Sequence, residues 1–127
     1  MSSIPEELKY SKEHEWVEGD IAAGSVVTVG ITAHASEALG DVVFAEPPAV
    51  GTAVTAGEVC GELESTKAVS ELFSPVTGTV VEVNDSLEDA PEAINAEPYG
   101  SGWIFKVELS GGDDALLDAA GYAEVSE

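Results

Sequence analysis

The feature of this 127-residue sequence that most constrains its fold is a succession of short apolar segments, each soon interrupted by Gly, Pro, Asn or Asp. Three examples are "SVVTVGIT" (25–32), "DVVFAEPP" (41–48) and "GTVVEVND" (78–85). They are rich in Val, Ile and Thr, the residues that strands favour. Many short strands with frequent turn signals predict an all-β sandwich or barrel.

Alternation of apolar and polar residues adds detail to two of these segments. In "VCGELES" (59–65), which follows a predicted turn at Ala56-Gly57, strand geometry predicts two faces. One face carries Val59, Gly61 and Leu63, and the other carries Cys60, Glu62 and Glu64. The segment "GWIFKVELS" (102–110) alternates in the same way and predicts a further strand.

Helical signals are few and short. Residues 32–40 predict a helix with Thr32 as its N-cap and Gly40 at its end. Residues 90–95 predict a single turn with Pro91 at its first position. Residues 113–121 predict a C-terminal helix that Asp113 or Asp114 caps, with Leu116 and Leu117 facing inward and Gly121 as its stop.

The charge excludes some partners. Four lysines and no arginine stand against 25 acidic residues, a formal net charge of −21. Such a surface repels nucleic acid phosphates and anionic lipids, and it suits basic protein partners or a salt-rich cytosol. The N-terminus has no apolar signal segment, and Cys60 is the only cysteine, which we interpret as a packing residue. We expect a cytoplasmic protein, although a mature organellar protein would have the same features.

Lys67 is the most informative single residue. It lies in "GELESTKAVSEL" (61–72), between two predicted strands, and so we expect it at the exposed tip of a hairpin. Physical chemistry alone leaves two interpretations open. The lysine is either a solvated charge that balances Glu64 or Glu71, with an energy of about 0–1 kcal/mol, or an amine presented for acylation.

A resemblance favours acylation. The stretch "ESTKA" (64–68) resembles the lipoyl-attachment motif of the glycine cleavage system H proteins. Other segments resemble this family in the same order, and together they span about residues 8–122: "KYSKEHEWV" (9–17), "VGIT" (29–32), "LGDVVFAEPP" (39–48), "SPVTGTVVEVN" (74–84), "INAEPYGSGW" (94–103) and "LLDAAGY" (116–122). The resemblance implies a single lipoyl-carrier domain over 1–127. Its fold would be a flattened barrel-sandwich of two antiparallel sheets with short peripheral helices.

The resemblance also implies a function. Lipoate would form an amide with Lys67 and carry the aminomethyl group of glycine from a pyridoxal-phosphate glycine decarboxylase to a tetrahydrofolate-dependent aminomethyltransferase. A FAD-dependent dihydrolipoyl dehydrogenase would reoxidise the dithiol, and a lipoate-attaching enzyme would install the cofactor. The chain would therefore be a monomeric carrier rather than an enzyme. The two histidines, His14 and His34, are not at metal-ligand spacing.

The family motifs imply roles for five more residues. Glu64 matches a glutamate that the lipoylating enzyme would recognise. Glu13, Glu15 and Glu71 match positions that hold the ammonium of the loaded arm, and His34 would be nearby. Ordinary surface charge is the alternative for the glutamates, and a partly buried helix position is the alternative for His34.

Several other carriers remain as alternatives. A lipoyl domain of a 2-oxoacid dehydrogenase complex usually has Asp before its lysine, where this chain has Thr66, and "HEW" and "PYGSGW" argue against it. A biotin carrier typically has methionines on both sides of its lysine. An H-like protein that only relays lipoyl groups, or an unmodified β-domain, stays open.

Overall fold

The computed structural model describes residues 8–11, 14–19, 23–110, 116 and 121–122. In chain order these contain strands β1 (Lys9–Tyr10), β2 (Glu15–Glu18), β3 (Val26–Ile31), β4 (Val42–Glu46), β5 (Ala53–Val54), β6 (Val59–Ser65), β7 (Val69–Phe73), β8 (Gly78–Val83) and β9 (Phe105–Leu109). Helix α1 (Ala33–Leu39) lies between β3 and β4. A 3-10 helix (Asp85–Glu88) and the single-turn helix α2 (Ala93–Ala96) lie between β8 and β9.

The strands form two antiparallel sheets. A six-stranded sheet has the order β1-β2-β3-β9-β8-β5, and a three-stranded sheet has the order β4-β6-β7. All the strand pairs are antiparallel. The predicted all-β fold of two antiparallel sheets is confirmed, and over the described residues each sheet is open rather than closed into a barrel.

Apolar side chains from both sheets form the main core. The core strands supply mostly Val, Ile and Leu, whose burial gives about 1.5–3 kcal/mol per large side chain. Its largest fully buried members include Val27, Val29, Leu72, Val80, Ile94, Ile104, Phe105 and Val107. A second cluster of Leu8, Tyr10, Trp16 and Tyr122 covers the other face of the β1–β2 end of the larger sheet. The rings of Tyr10 and Tyr122 stack with their centroids 4.8 Å apart, so Tyr122 is held against strand β1.

The helix predicted at 32–40 is confirmed, with both of its ends. The Thr32 side chain accepts a hydrogen bond from the Ala35 N–H, and Gly40 follows the last turn with φ of 90°. A left-handed φ is much easier for glycine than for other residues. The turn predicted at 90–95 is present as α2, although it begins at Ala93, two residues after Pro91.

The predicted C-terminal helix at 113–121 lies mostly outside the described residues. Leu116 is half-buried and packs against the main core, as the inward-facing prediction requires, but it is not part of a helix. Gly121, predicted as the stop, is itself helical together with Tyr122, so the predicted bounds are wrong at both of these described positions. Leu117, Asp113 and Asp114 are outside the described part.

Two sequence-based expectations were incomplete. Strands β1 and β2 were not predicted, because "KYSKEHEW" is rich in charge and poor in β-branched residues. In β6 the simple two-face alternation is wrong at its start. A register shift between Val59 and Gly61 leaves Val59 exposed and packs Cys60 against the core. A bulge reverses the facing of the residues before it.

The described residues contain no helix that is both long enough and apolar enough to cross a membrane.

Candidate functional site

Lys67 lies at the tip of the hairpin that β6 and β7 form. The two strands pair from Val59 opposite Phe73 to Glu64 opposite Val69, and the Ser65 N–H donates to the Ala68 carbonyl at 2.8 Å. The lysine is exposed, as the sequence predicted. An amine in this place is accessible to another protein.

Ser65 braces the tip from inside. Its buried hydroxyl oxygen accepts hydrogen bonds from the backbone N–H groups of Lys67, at 3.2 Å, and Ala68, at 3.0 Å. Its hydroxyl also lies 3.1 Å from the Ala68 carbonyl, to which it can donate. A further bond runs from the Thr66 N–H to the Asp41 carbonyl at 3.0 Å. Commoner tight hairpins have Asn-Gly at the turn, which this hairpin lacks. Here these hydrogen bonds fix the backbone conformation of the turn that contains Lys67.

The aliphatic stem of Lys67 crosses the chain at the end of α1. A Cβ added to Gly40 would lie 3.1 Å from Cε of the lysine, so the absence of a side chain at this position leaves room for the stem. Asn95 fixes the segment beneath: its Nδ2 donates to the Gly40 carbonyl and its Oδ1 accepts from the Val42 N–H, both at 2.8 Å. Lysine commonly lays its methylene groups on a surface and keeps its charge in water.

A surface cleft of about 450 Å³ adjoins the lysine. Helix α1 supplies its apolar wall with Ala35, Ala38 and Leu39, and Lys67 to Ser70 of the hairpin form the facing wall. The imidazoles of His14 and His34 complete the lining. The cleft therefore offers an apolar surface with two polar rings to any group attached to Lys67.

The two imidazoles are in contact, and a hydrogen bond holds that of His14 in place. Their ring centroids are 4.8 Å apart. His14 Nδ1 lies 2.6 Å from the Tyr122 hydroxyl, which lies 2.7 Å from the Thr32 hydroxyl. Burial raises the pKa of Tyr122 to about 12, so this hydroxyl stays protonated and donates one of these bonds.

His14 also has an unusual backbone conformation. Its φ is 72°, a left-handed value that non-glycine residues rarely adopt, and its carbonyl accepts from the Thr32 N–H at 3.0 Å. Such a conformation costs about 1–3 kcal/mol and persists only where the surroundings impose it. The N-cap residue of α1 therefore also holds His14 at the cleft.

Glu15 is buried and lies outside the lining of the cleft. It is directly opposite Ile31 in the larger sheet, and its Oε1 accepts from the Ser11 hydroxyl at 2.6 Å. Burial raises the pKa of the Cys60 thiol to about 12, and the negative charge of Glu15 contributes to this shift. Cys60 is consequently a neutral thiol, which agrees with its interpretation as a packing residue.

Glu64 and Glu71 are exposed on the smaller sheet. Glu64 is directly opposite Val69 and Phe44, while Glu71 is directly opposite Glu62. Among the sequence-predicted residues, the structure brings His34 and Lys67 to one cleft and does not bring Glu15 and Glu71 into its lining. Glu13 lies outside the described residues.

The sequence did not identify Ser65, Asn95, His14 or Tyr122 as site residues. The only local signal was "HEW", which drew attention to the glutamate after His14 rather than to His14 itself. The described residues contain no cluster of three or more His, Cys, Asp or Glu side chains that could hold a metal ion.

Comparisons with known proteins agree over nearly the whole chain. The family model described as "Glycine cleavage H-protein" matches residues 8–127. The glycine cleavage system H protein of Thermobifida fusca is 58% identical over 125 residues, 98% of this chain and 97% of the relative. The protein of the same name from Beutenbergia cavernae is 56% identical over 124 residues, again 98% and 97% of the two chains.

A solved structure shows the same architecture. The crystal structure of a glycine cleavage system H protein from Mycobacterium marinum superposes with a TM-score of 0.88 at 46% identity, over 95% of this chain and 97% of that chain. Sequence identities of 46% to 58% over nearly the whole chain show a shared family as well as a shared fold. The chain therefore belongs to the glycine cleavage H-protein family.

Proposed function

We propose that this chain is the lipoyl carrier of the glycine cleavage system, a single domain over residues 1–127 whose core spans about 8–122, with lipoate in amide linkage to Nζ of Lys67. The observation that carries the proposal is the exposed Lys67 at a braced hairpin tip, beside an apolar cleft, in a chain of this family. The carrier acts as a substrate of the system's enzymes: a pyridoxal-phosphate decarboxylase, a tetrahydrofolate-dependent aminomethyltransferase, a FAD-dependent dihydrolipoyl dehydrogenase and a lipoate-attaching enzyme.

The residues of this chain fit such a group. Lipoate, when bound, supplies a disulfide that takes up a one-carbon group and two electrons. Ser65 orients the backbone that carries Lys67, and Gly40 leaves room for the lysine stem. Ala35, Ala38 and Leu39 offer an apolar surface that excludes water from whatever lies against it.

The proposal also includes binding of the lipoyl arm, once it is loaded with the aminomethyl group, by residues of this chain. His34 is already at the cleft, and His14 stands beside it. For Glu15 and Glu71 to take part, the arm has to reach beyond the cleft lining, because both carboxylates lie outside it. A charge-assisted hydrogen bond from an ammonium to either carboxylate contributes about 1.5–3 kcal/mol. Glu15→Ala and Glu71→Ala should accelerate hydrolysis of the loaded arm, and unchanged rates would remove these two residues from the proposal.

Intact mass spectrometry tests the attachment itself. The parent protein, incubated with lipoate, ATP and a lipoate ligase, should gain the mass of one lipoyl amide. In this reaction Nζ forms a bond with the lipoyl carbonyl carbon, the bond between that carbonyl and adenylate breaks, AMP leaves, and Nζ loses a proton. Lys67→Arg should gain nothing. Lys9→Arg, which changes another exposed lysine, should be modified like the parent.

Glycine-dependent exchange of carbon dioxide with the decarboxylase then tests the function. Lipoylated parent protein should support exchange, and Lys67→Arg should not. A lipoylated protein that supports no exchange would identify a lipoyl relay, whereas a biotinyl mass or no modification at all would refute the proposed cofactor.

A further inference from the structure

The outer surface of the three-stranded sheet contains exposed apolar side chains, of which Phe44 lies outside the cleft lining and Val69 lies at the edge of the cleft. Phe44 on β4 is directly opposite Glu64 on β6, which is directly opposite Val69 on β7. Because directly paired residues project to the same side of a sheet, these three side chains form one row. Phe44 is 54% exposed and Val69 is 60% exposed. Both are therefore available to a partner.

A second row beside the first consists only of acids. Glu46, Glu62 and Glu71 are exposed and directly paired across β4, β6 and β7. We call the two rows together the Phe44 face. Like charges directly opposite each other destabilise a sheet, so this row opposes folding of the free protein. A cationic partner surface would remove that repulsion.

The described lysines other than Lys67 lie away from this face. Lys9 is on β1, and Lys106 is on β9 with its Nζ 5.2 Å from the centroid of the Trp103 ring. Both belong to the six-stranded sheet. The Phe44 face thus combines two exposed apolar side chains, Phe44 and Val69, with a neighbouring row made only of carboxylates. Its complement is an apolar recess with Lys or Arg at its rim.

A bulge enlarges the apolar part of the face. The register between β4 and β6 shifts between Val42 and Phe44, and this inserts Val43 as an additional residue. Val43 is exposed as well. Bulges of this kind redirect side chains. Phe44 is the largest exposed apolar side chain among the described residues, and aromatic side chains often anchor protein interfaces.

The position of the Phe44 face relative to Lys67 identifies the occupant. Glu64 precedes the lysine by three residues and Val69 follows it by two. The lysine stem lies against Gly40 at the end of α1, so α1 limits approach from the cleft side. An enzyme that acts on Nζ itself has to surround the hairpin tip and therefore meets the end of this sheet.

We propose that the Phe44 face is the docking surface for the enzyme that attaches lipoate to Lys67, and that this enzyme receives Phe44 and Val69 in an apolar recess rimmed by basic side chains. The proposal rests on the proposed function, because it requires that Lys67 be lipoylated. It assigns binding to the Phe44 face and leaves the chemical step to the enzyme. Substitutions on this face should therefore raise KM for the carrier and leave kcat nearly unchanged.

Steady-state kinetics of a lipoate ligase with the apo carrier test the proposal. Phe44→Ala and Val69→Thr should each raise KM for the carrier about tenfold, the size of effect that truncation of an interface anchor produces. Val26→Thr and Val81→Thr are matched controls, because these valines are 50% and 40% exposed on the six-stranded sheet. Both controls should keep KM within twofold of the parent value. Urea unfolding of all variants verifies that they are folded.

Inhibition measures docking without chemistry. The Lys67→Arg carrier cannot be acylated and should inhibit lipoylation of the parent competitively. Adding Phe44→Ala to it should raise the inhibition constant about tenfold. KM of the parent should also rise with salt, and this rise should be smaller for Glu62→Gln, because one carboxylate of the acidic row is gone.

Three outcomes would overturn the proposal. In the first, Phe44→Ala and Val69→Thr keep the parent KM. In the second, they leave lipoylation unchanged and raise KM only in the decarboxylase assay, which assigns the Phe44 face to that enzyme. In the third, the parent dimerises at assay concentrations and Phe44→Ala makes it monomeric, which assigns the face to a second copy of this chain. A parent protein that is never lipoylated would instead overturn the proposed function.

Discussion

Neutralising the central carboxylate of the acidic row should stabilise the protein. Glu62 on β6 is directly opposite Glu46 on one side and Glu71 on the other. Glu62→Gln keeps the size of the side chain and removes both repulsive pairs at once. We therefore expect a higher free energy of unfolding than that of the parent protein.

The size of the gain follows from Coulomb's law. Directly opposite residues have Cβ atoms about 4.5–5.5 Å apart, and flexible carboxylates at this spacing separate to about 6 Å. In water this distance gives about 0.7 kcal/mol per pair, and screening at 0.1 M salt reduces it to about 0.4 kcal/mol. Two pairs give about 0.8 kcal/mol, an upper value because the acidic unfolded chain also repels itself. A gain of about 0.5–0.8 kcal/mol raises Tm by roughly 2–4 °C in a domain of this size.

Urea unfolding at pH 7 in 0.1 M and 1 M NaCl is the assay. The difference between Glu62→Gln and the parent should fall to about 0.2 kcal/mol at 1 M salt, where the Debye length is about 3 Å. Glu108→Gln is the matched control. Glu108 is exposed on β9, and its direct partners Val26 and Thr79 are uncharged. It makes the same change in net charge without a facing carboxylate.

The result that refutes this reasoning is equal stability of Glu62→Gln and Glu108→Gln at low salt. The effect would then belong to the net charge of the whole chain and not to the acidic row. A gain that persists at 1 M salt would also contradict it, since a Coulombic gain between exposed groups is screened.

Three further predictions concern the packing, the hairpin tip and the buried thiol. Gly30→Ala should cost about 1–3 kcal/mol in urea unfolding, because the added Cβ would lie 2.6 Å from the buried Trp16 ring. Ser65→Ala should cost about 1–2 kcal/mol and speed hydrogen exchange at the Lys67 amide, because the braces at the tip are lost. The Cys60 thiol, with its pKa raised from 9.0 to about 12, should contribute stability that is complete below pH 9 and is lost as the pH rises towards 12. Urea unfolding at pH 8 and pH 10 should show that Cys60→Ala loses less stability over this range than the parent does.

The sequence predicted those parts of the fold that local signals specify. The valine-rich segments at 25–32, 41–48 and 78–85 became strands β3, β4 and β8, and α1 was predicted with its N-cap at Thr32 and its end at Gly40. Strand β2 was missed because its stability comes from pairing with β3 and from the packing of Trp16 on Gly30. Such partners are distant in sequence, and local propensity contains no trace of them.

Some residues of the candidate site could likewise be identified from local sequence, and others only from the folded structure. Lys67 was found because its motif and its place between two strands are local. Tyr122 was missed as a site residue because it contacts His14 across 108 positions of the chain, and only the folded structure brings the two together. The position of Glu71 depends on the register between β6 and β7, which the sequence does not specify. This register places the Glu71 carboxylate opposite Glu62 and outside the cleft lining.

The two faces of the hairpin have opposite consequences for stability. On the inner side Leu63 and Leu72 are buried and Ser65 braces the tip, so each of these residues stabilises the fold. On the outer side, the exposed Phe44 and the three facing carboxylates of Glu46, Glu62 and Glu71 do not stabilise the fold. Their removal is expected to leave the free energy of unfolding unchanged or to increase it. Exposed residues that contribute little to the stability of the fold are free to serve a docking surface. The Glu62→Gln variant tests this argument with one substitution, because it should raise the free energy of unfolding and also raise KM for lipoylation at low salt. A fall in KM together with the gain in stability would show that the acidic row opposes docking as well as folding, and the partner chemistry inferred for the Phe44 face would be wrong.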